Sequence, residues 1–226
     1  MFIFFHQPVC GKPIHPRRMH NAHRRAGPPL NPVRHRPIGL IRDQKPTENH
    51  NRLIRVNVKK RQAQIRSNPL IMERVSDYPR PPRLEPSNDV VRVEALGTLL
   101  VETSRSLRVL ETFHPPTYYL PPEAMNQSLL VAASGRPSFC EWKGVARYFD
   151  VVNGDRRLDR AVWTYPSPTE RFRELAGWFA LYPASMDGCW INGERVTPQQ
   201  GGFYGGWITS QVTGPFKGDP NHPELI

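Results

Sequence analysis

The sequence predicts a mainly β domain, antiparallel and with one packed helix, preceded by a disordered basic segment. Three observations carry this expectation. Charge is divided unevenly: residues 1–71 hold 15 Lys+Arg against two acids, Asp43 and Glu48, a net of +13, while residues 72–226 hold 16 against 18, a net of −2, which together give +11. From Asp89 onward, apolar residues alternate in short runs punctuated by Gly, Pro and Asn-Gly, the pattern of short strands. Strands do not alternate with helical stretches, which argues against a doubly wound parallel sheet.

Residues 1–71 contain Pro13, Pro16, Pro28, Pro29, Pro32, Pro37 and Pro46, spaced so that no long helix survives. So little apolar surface cannot offset chain entropy, and the segment is expected to be disordered. Its one dense apolar run, Met1-Phe2-Ile3-Phe4-Phe5, is far too short for a membrane span of about 20 residues. Met72 opens the stretch in which acids first become frequent. It reads as the true start, with 72–226 as the working protein. A targeting arm is a second reading. A nucleic-acid arm, using Arg17, Arg18, Arg24, Arg25, Lys59, Lys60 and Arg61 on phosphates, is a third. The near-neutral domain itself offers no basis for nucleic-acid binding.

Residues 72–88 are expected to be an extended, polar lead-in over the surface, with Pro79, Pro81, Pro82 and Pro86. Val90–Glu94 and Thr98–Glu102 read as a hairpin around Gly97, Leu107–Glu111 as a third strand and Tyr118–Leu120 as a fourth. The longest β run spans Phe139–Val152, turns at Asn153-Gly154 and returns from Leu158 to Tyr165. Pro166-Ser167-Pro168-Thr169 then caps a helix near 170–182, for which Phe172, Leu175, Ala176 and Phe179 have the spacing. Asn192-Gly193 makes another hairpin, and a Gly/Pro-rich tail after Gly201 leaves Trp207–Thr209 as its one strand. The single-domain boundary is drawn at 89–226.

Chemistry concentrates in two stretches. In Cys140-Glu141-Trp142-Lys143-Gly144-Val145-Ala146-Arg147-Tyr148, strand alternation puts Cys140, Trp142, Gly144, Ala146 and Tyr148 on one face. Small Gly144 and Ala146 leave room between the larger rings, and the same alternation puts Lys143 on the opposite face unless a bulge intervenes. In Glu111-Thr112-Phe113-His114-Pro115-Pro116, two prolines stiffen the backbone that carries Glu111 and His114. Lys217, in a Gly-Pro-Phe-Lys-Gly turn, could contact an anion, but a solvated surface lysine is the preferred reading. Three cysteines, Cys10, Cys140 and Cys189, without a Cys-x-x-Cys, make neither a disulfide framework nor a zinc site. No metal ligand set or cofactor motif is expected, the Gly-rich Gly201–Gly206 stretch being no phosphate loop.

Three blocks in order then resemble one family. Glu111-Thr112 with Pro115-Pro116-x-Tyr118-Tyr119-x-Pro121, Cys140-x-x-Lys143-Gly144-x-Ala146-x-Tyr148, and Ala161-Val162-Trp163-Thr164-Tyr165 with Pro168 are similar to the bacterial domain-of-unknown-function family numbered 427, also filed as nucleotidyltransferase-like. The resemblance runs from about Val90 to Gly218. It implies a β-tent or Mss4-like architecture of two small antiparallel sheets. It implies no reaction, and the Gly-Ser and Asp-x-Asp pattern of nucleotidyltransferases is absent from this chain.

The functional expectation is a cytoplasmic, small-ligand-binding β domain of undetermined oligomeric state. Its pocket would be lined by Tyr118, Tyr119, Cys140, Trp142, Lys143, Tyr148 and Trp163, with Glu111 and His114 at the mouth. Lys143 would face an anionic or carbonyl group and the aromatics would hold a ring. One alternative is a thiol-dependent enzyme in which His114, oriented by Glu111, activates Cys140. The other is a nucleic-acid or scaffold protein acting through the basic segment.

Overall fold

The computed structural model describes residues 72–225, and every expectation for residues 1–71 lies outside them. The Leu96-Gly97 turn closes the first hairpin, with both residues at positive φ, so that Val91–Ala95 pairs antiparallel with Thr98–Thr103. Gly188–Ile191 adds to the other edge of this hairpin and Glu194–Arg195 follows, giving a four-stranded sheet. A second sheet has the order Phe179–Leu181, Arg156–Thr164, Gly144–Asn153, Leu130–Ala132, with Ser138–Cys140 pairing the start of Gly144–Asn153. A third, three-stranded sheet joins Arg83–Ser87, Ser106–Leu110 and Thr117–Tyr119. The chain is thus mainly β, built from several small sheets. All their pairings are antiparallel except the two-residue parallel one between Glu73–Arg74 and Val212–Thr213.

Backbone hydrogen bonds in both directions between Leu120 and Phe179, 2.7 and 2.9 Å, stitch the third sheet to the second at a corner. Two hydrophobic clusters lie about this corner. One gathers mostly aliphatic residues, among them Val91, Val93, Leu100, Leu120, Leu181 and Ile191, under the four-stranded sheet. The other gathers Tyr119, Cys140, Ala146, Trp163, Tyr165, Phe172, Leu175 and Ala180.

Three local expectations are corrected. The supposed helix over 170–182 is a 3₁₀ segment, Glu170–Leu175, kinked at Phe172. Gly177 at φ +76° ends any helical path, and Phe179–Leu181 pairs as an edge strand with Val162–Thr164. The apolar spacing is real, since Phe172, Leu175, Phe179 and Leu181 are all buried, but a tight turn plus a strand satisfies it as well as a helix does. The lead-in does not merely lie over the surface. Val75 is fully buried against Tyr78 and Leu110, and Arg83–Ser87 is a paired edge strand that tolerates Pro86 for that reason.

The third correction shapes the site. Phe139–Val152 is not one strand. Cys140 pairs with Gly144, so Glu141-Trp142-Lys143 form a three-residue hairpin loop. Gly144 has φ +95°, a conformation that favours glycine. Thr169 braces the loop from the side: its hydroxyl donates to the Trp142 carbonyl at 2.5 Å and its N–H to the Lys143 carbonyl at 3.3 Å. In a loop, strand alternation no longer separates Lys143 from Cys140 and Trp142.

Candidate functional site

A cavity of about 450 Å³ opens between the second and third sheets, on the side of the aromatic cluster. That volume falls in the range of small-molecule sites. Of the nine residues singled out in the sequence, eight line it: Glu111, His114, Tyr119, Cys140, Trp142, Lys143, Tyr148 and Trp163. Tyr118 lines none of it. Strand alternation in Thr117–Tyr119 sends Tyr118 the other way, where its hydroxyl donates to Asp89 at 3.0 Å and its ring packs 5.2 Å from that of Trp207.

The aromatic wall is continuous. The Trp163 ring stands 4.6 Å from Tyr182 and 6.4 Å from Tyr119, which lies 6.3 Å from Tyr165. Burial pushes the Tyr119, Tyr165 and Tyr182 hydroxyls well above the usual phenol range, so all three are neutral donors. Tyr148 is fixed at the side, its hydroxyl 2.6 Å from Ser138 Oγ and its ring under the Arg160 guanidinium at 3.9 Å. Five buried side-chain polar atoms among the described residues have no hydrogen-bond partner, and two of them, Trp142 Nε1 and Tyr165 Oη, belong to this wall. A buried donor left unmade costs about 1–3 kcal/mol.

His114 sits on a loop clamped from three directions. Phe113 at φ +63° accepts the Lys217 N–H at 2.8 Å, and the Pro116 carbonyl accepts the Trp207 N–H at 2.9 Å. Gln199 Nε2 donates to the Lys217 carbonyl at 2.8 Å and lies 3.1 Å from His114 Nδ1. A carbonyl only accepts, so the amide nitrogen must face Lys217 and His114, and Nδ1 is an acceptor. The ring proton therefore resides on Nε2. Burial, assisted by the Lys217 and Lys143 charges and opposed by Glu111 and the Gln199 hydrogen bond, lowers the His114 pKa to about 4. The imidazole is neutral at physiological pH.

The orienting partner of His114 is thus Gln199 rather than Glu111. Glu111 instead faces Arg80 at 3.9 Å, and Arg80 also reaches Glu141 at 3.1 Å. No hydrogen bond joins Cys140 to His114, so the geometry gives the thiol-enzyme reading no support. Among the described residues, no group of three or more His, Cys, Asp and Glu is arranged to hold a metal ion, and no helix is long and apolar enough to cross a membrane.

The predicted site leaves out the far wall, Gln199, Phe203, Tyr204, Gly205 and Lys217, together with Arg80, Val109, Thr117, Tyr165 and Tyr182; of these, the sequence offers only Tyr165 as a wall ring and Lys217 as an anion contact, both as second readings. Residues 199–217 form a strap across the cavity, with Tyr204 edge-on to His114 at 5.1 Å and Phe203 beside it. Gly205 lies so close to the Trp163 ring that a Cβ there would collide with it. The Gly-Gly-Phe-Tyr-Gly-Gly run was the available signal, because repeated glycines mark places where backbone approaches other groups closely.

Fold and site together define a small-sheet β domain with an aromatic-walled, cation-bearing cavity. Residues 83–192 match the family described as a domain of unknown function (DUF427). No curated protein matches the chain. The matched stretch holds the aromatic wall and the Cys140–Gly144 loop, while Arg80 and the whole strap lie outside it.

Proposed function

We propose that this is a small-ligand-binding β domain whose cavity holds a flat, ring-bearing compound. One observation carries the reading: a space of about 450 Å³ walled by Tyr119, Trp142, Tyr148, Trp163, Tyr165 and Tyr182. Packing alone does not explain an open space beside a cluster of this size, since interiors are normally close-packed. A ring stacked on the Trp163–Tyr182 wall would gain aromatic contact. Cys140 and Cys189, both buried and unpaired, fit a reducing compartment and support a cytoplasmic location.

The test is a thermal-shift screen of the chain against ring compounds, repeated with Cys140→Ser. A ligand at 100 times its Kd adds about 2.7 kcal/mol, a shift of several degrees for a domain of this size. The expected hit survives in Cys140→Ser. A hit that vanishes in that variant would move the reading to thiol chemistry, and a folded chain that no ring compound stabilises would contradict it.

A further inference from the structure

Four charged side chains line the cavity: Arg80, Glu111, Lys143 and Lys217. Arg80 is engaged by Glu111 and Glu141. The two lysines are not comparably engaged. Lys143 is only 8 % exposed, and no carboxylate of the described residues lies within ion-pair distance of it. Its ammonium rests 5.6 Å from the centroid of the Phe172 ring, a contact that offsets only part of the cost of burying a charge. Lysines are almost never this buried unless paired. Lys217, on the strap, likewise has no carboxylate partner among the described residues. Its position is set by its backbone, through Phe113 on one side and Gln199 on the other. Both lysines line the same cavity as His114, and both charges act on its ring. His114 is neutral there and its Nε2 is a donor, so it neither competes for an anion nor repels one.

We infer that the ligand is a ring compound carrying an acidic group, carboxylate or phosphate, and that this group is held between Lys143 of the hairpin loop and Lys217 of the strap. The inference rests on the ring-binding reading above and narrows it to a charge class. It also assigns the strap a role in selectivity. The aromatic wall lies within residues 83–192, whereas one of the two cations, and the Gln199 that orients the His114 ring, are supplied from outside that stretch. A DUF427 segment without an equivalent strap would keep the ring wall and lose half of the anion site.

The experiment follows tryptophan fluorescence of the full chain at low salt, where charge interactions are least screened, during titration with benzoate, phenyl phosphate, benzyl alcohol and inorganic phosphate. At least one of the two ring anions should bind tenfold or more tightly than benzyl alcohol, and which of them does so assigns the acid. Lys143→Met and Lys217→Met should each weaken that anion about tenfold and leave benzyl alcohol unchanged. Should Lys143→Met not fold, Lys217→Met, which changes a half-buried strap residue, decides alone. Benzyl alcohol binding as tightly as both anions, or anion binding untouched by the lysine variants, would overturn the charge inference while leaving the ring pocket standing. Inorganic phosphate binding as tightly as phenyl phosphate would keep the lysine pair and overturn the ring reading. Failure of all four probes to bind would contradict both.

Discussion

The two larger hydrophobic clusters of this domain are close neighbours built from different material. Around Val91, Val93, Leu100, Leu120 and Leu181, aliphatic side chains from facing strands fill the space they enclose, each fully buried. Around Tyr119, Trp163 and Tyr165, the side chains are large, flat and capped with polar atoms, and they enclose a cavity. Branched aliphatics adjust to one another and leave few voids. The rings around Tyr119, Trp163 and Tyr165 leave a cavity of about 450 Å³ beside them. One cluster is therefore read as the source of stability and the other as a receptor, and substitutions should separate the two.

The largest effect belongs to the closed cluster. Leu181→Ala, at a side chain with no exposure, should cost about 2–5 kcal/mol in urea unfolding while leaving ligand affinity of the folded fraction unchanged. A loss of affinity as large as that of a cavity-wall variant would break the division.

His114 gives an intermediate effect with a sign set by its environment. Its folded pKa of about 4 lies below the unfolded value of about 6.5. The unfolded chain therefore binds more protons between these values. The stabilisation is complete above about pH 6.5 and is lost progressively as pH falls toward 4. Between pH 7.5 and pH 5 the domain should lose about 2 kcal/mol that His114→Gln does not lose. Parallel pH profiles for the two proteins would mean that the imidazole is solvated, and the strap not seated as described.

The smallest effect is expected at Tyr165→Phe. The hydroxyl has no partner, so its removal should change stability by no more than about 1 kcal/mol in either direction. Ligand affinity should fall if that hydroxyl serves the ligand. Stability and affinity moving oppositely at Tyr165 and Leu181 would be the sharpest expression of the contrast between the clusters.

What the sequence made legible follows the same contrast. Hairpins with strong local turn chemistry were read correctly at Leu96-Gly97 and at Asn192-Gly193, where both turn residues adopt positive φ. The similar Asn153-Gly154 pair turned out to be offset by one. Asn153 pairs with Arg156, the loop is Gly154-Asp155, and the Asn153 amide is occupied instead with the Leu96 carbonyl at 3.1 Å. A tertiary contact decided a choice that local propensity left open. The near wall of the site was readable because its residues cluster in sequence. The Glu141–Lys143 turn was hidden because an apolar-polar alternation continued through it, and only the conformation of Gly144 marks the break. The strap was hard to place for a different reason: its glycine run marks a close approach, but the Gln199–His114 contact spans 85 residues, and no periodic pattern announces where a glycine-rich segment will return.

The most direct test uses two indoles with the same defect in the two different clusters. Trp142 Nε1 in the cavity wall and Trp207 Nε1 in the closed cluster are both buried without a hydrogen-bond partner. Indole N–H resonances of the ¹⁵N-labelled chain would be followed while a ring compound from the thermal-shift screen is added. Ligand entry into the cavity predicts that the Trp142 and Trp163 resonances move together as a ring settles against the wall they line, and that Trp207 stays. A shift at Trp207 with Trp142 unmoved would place binding elsewhere and contradict the account.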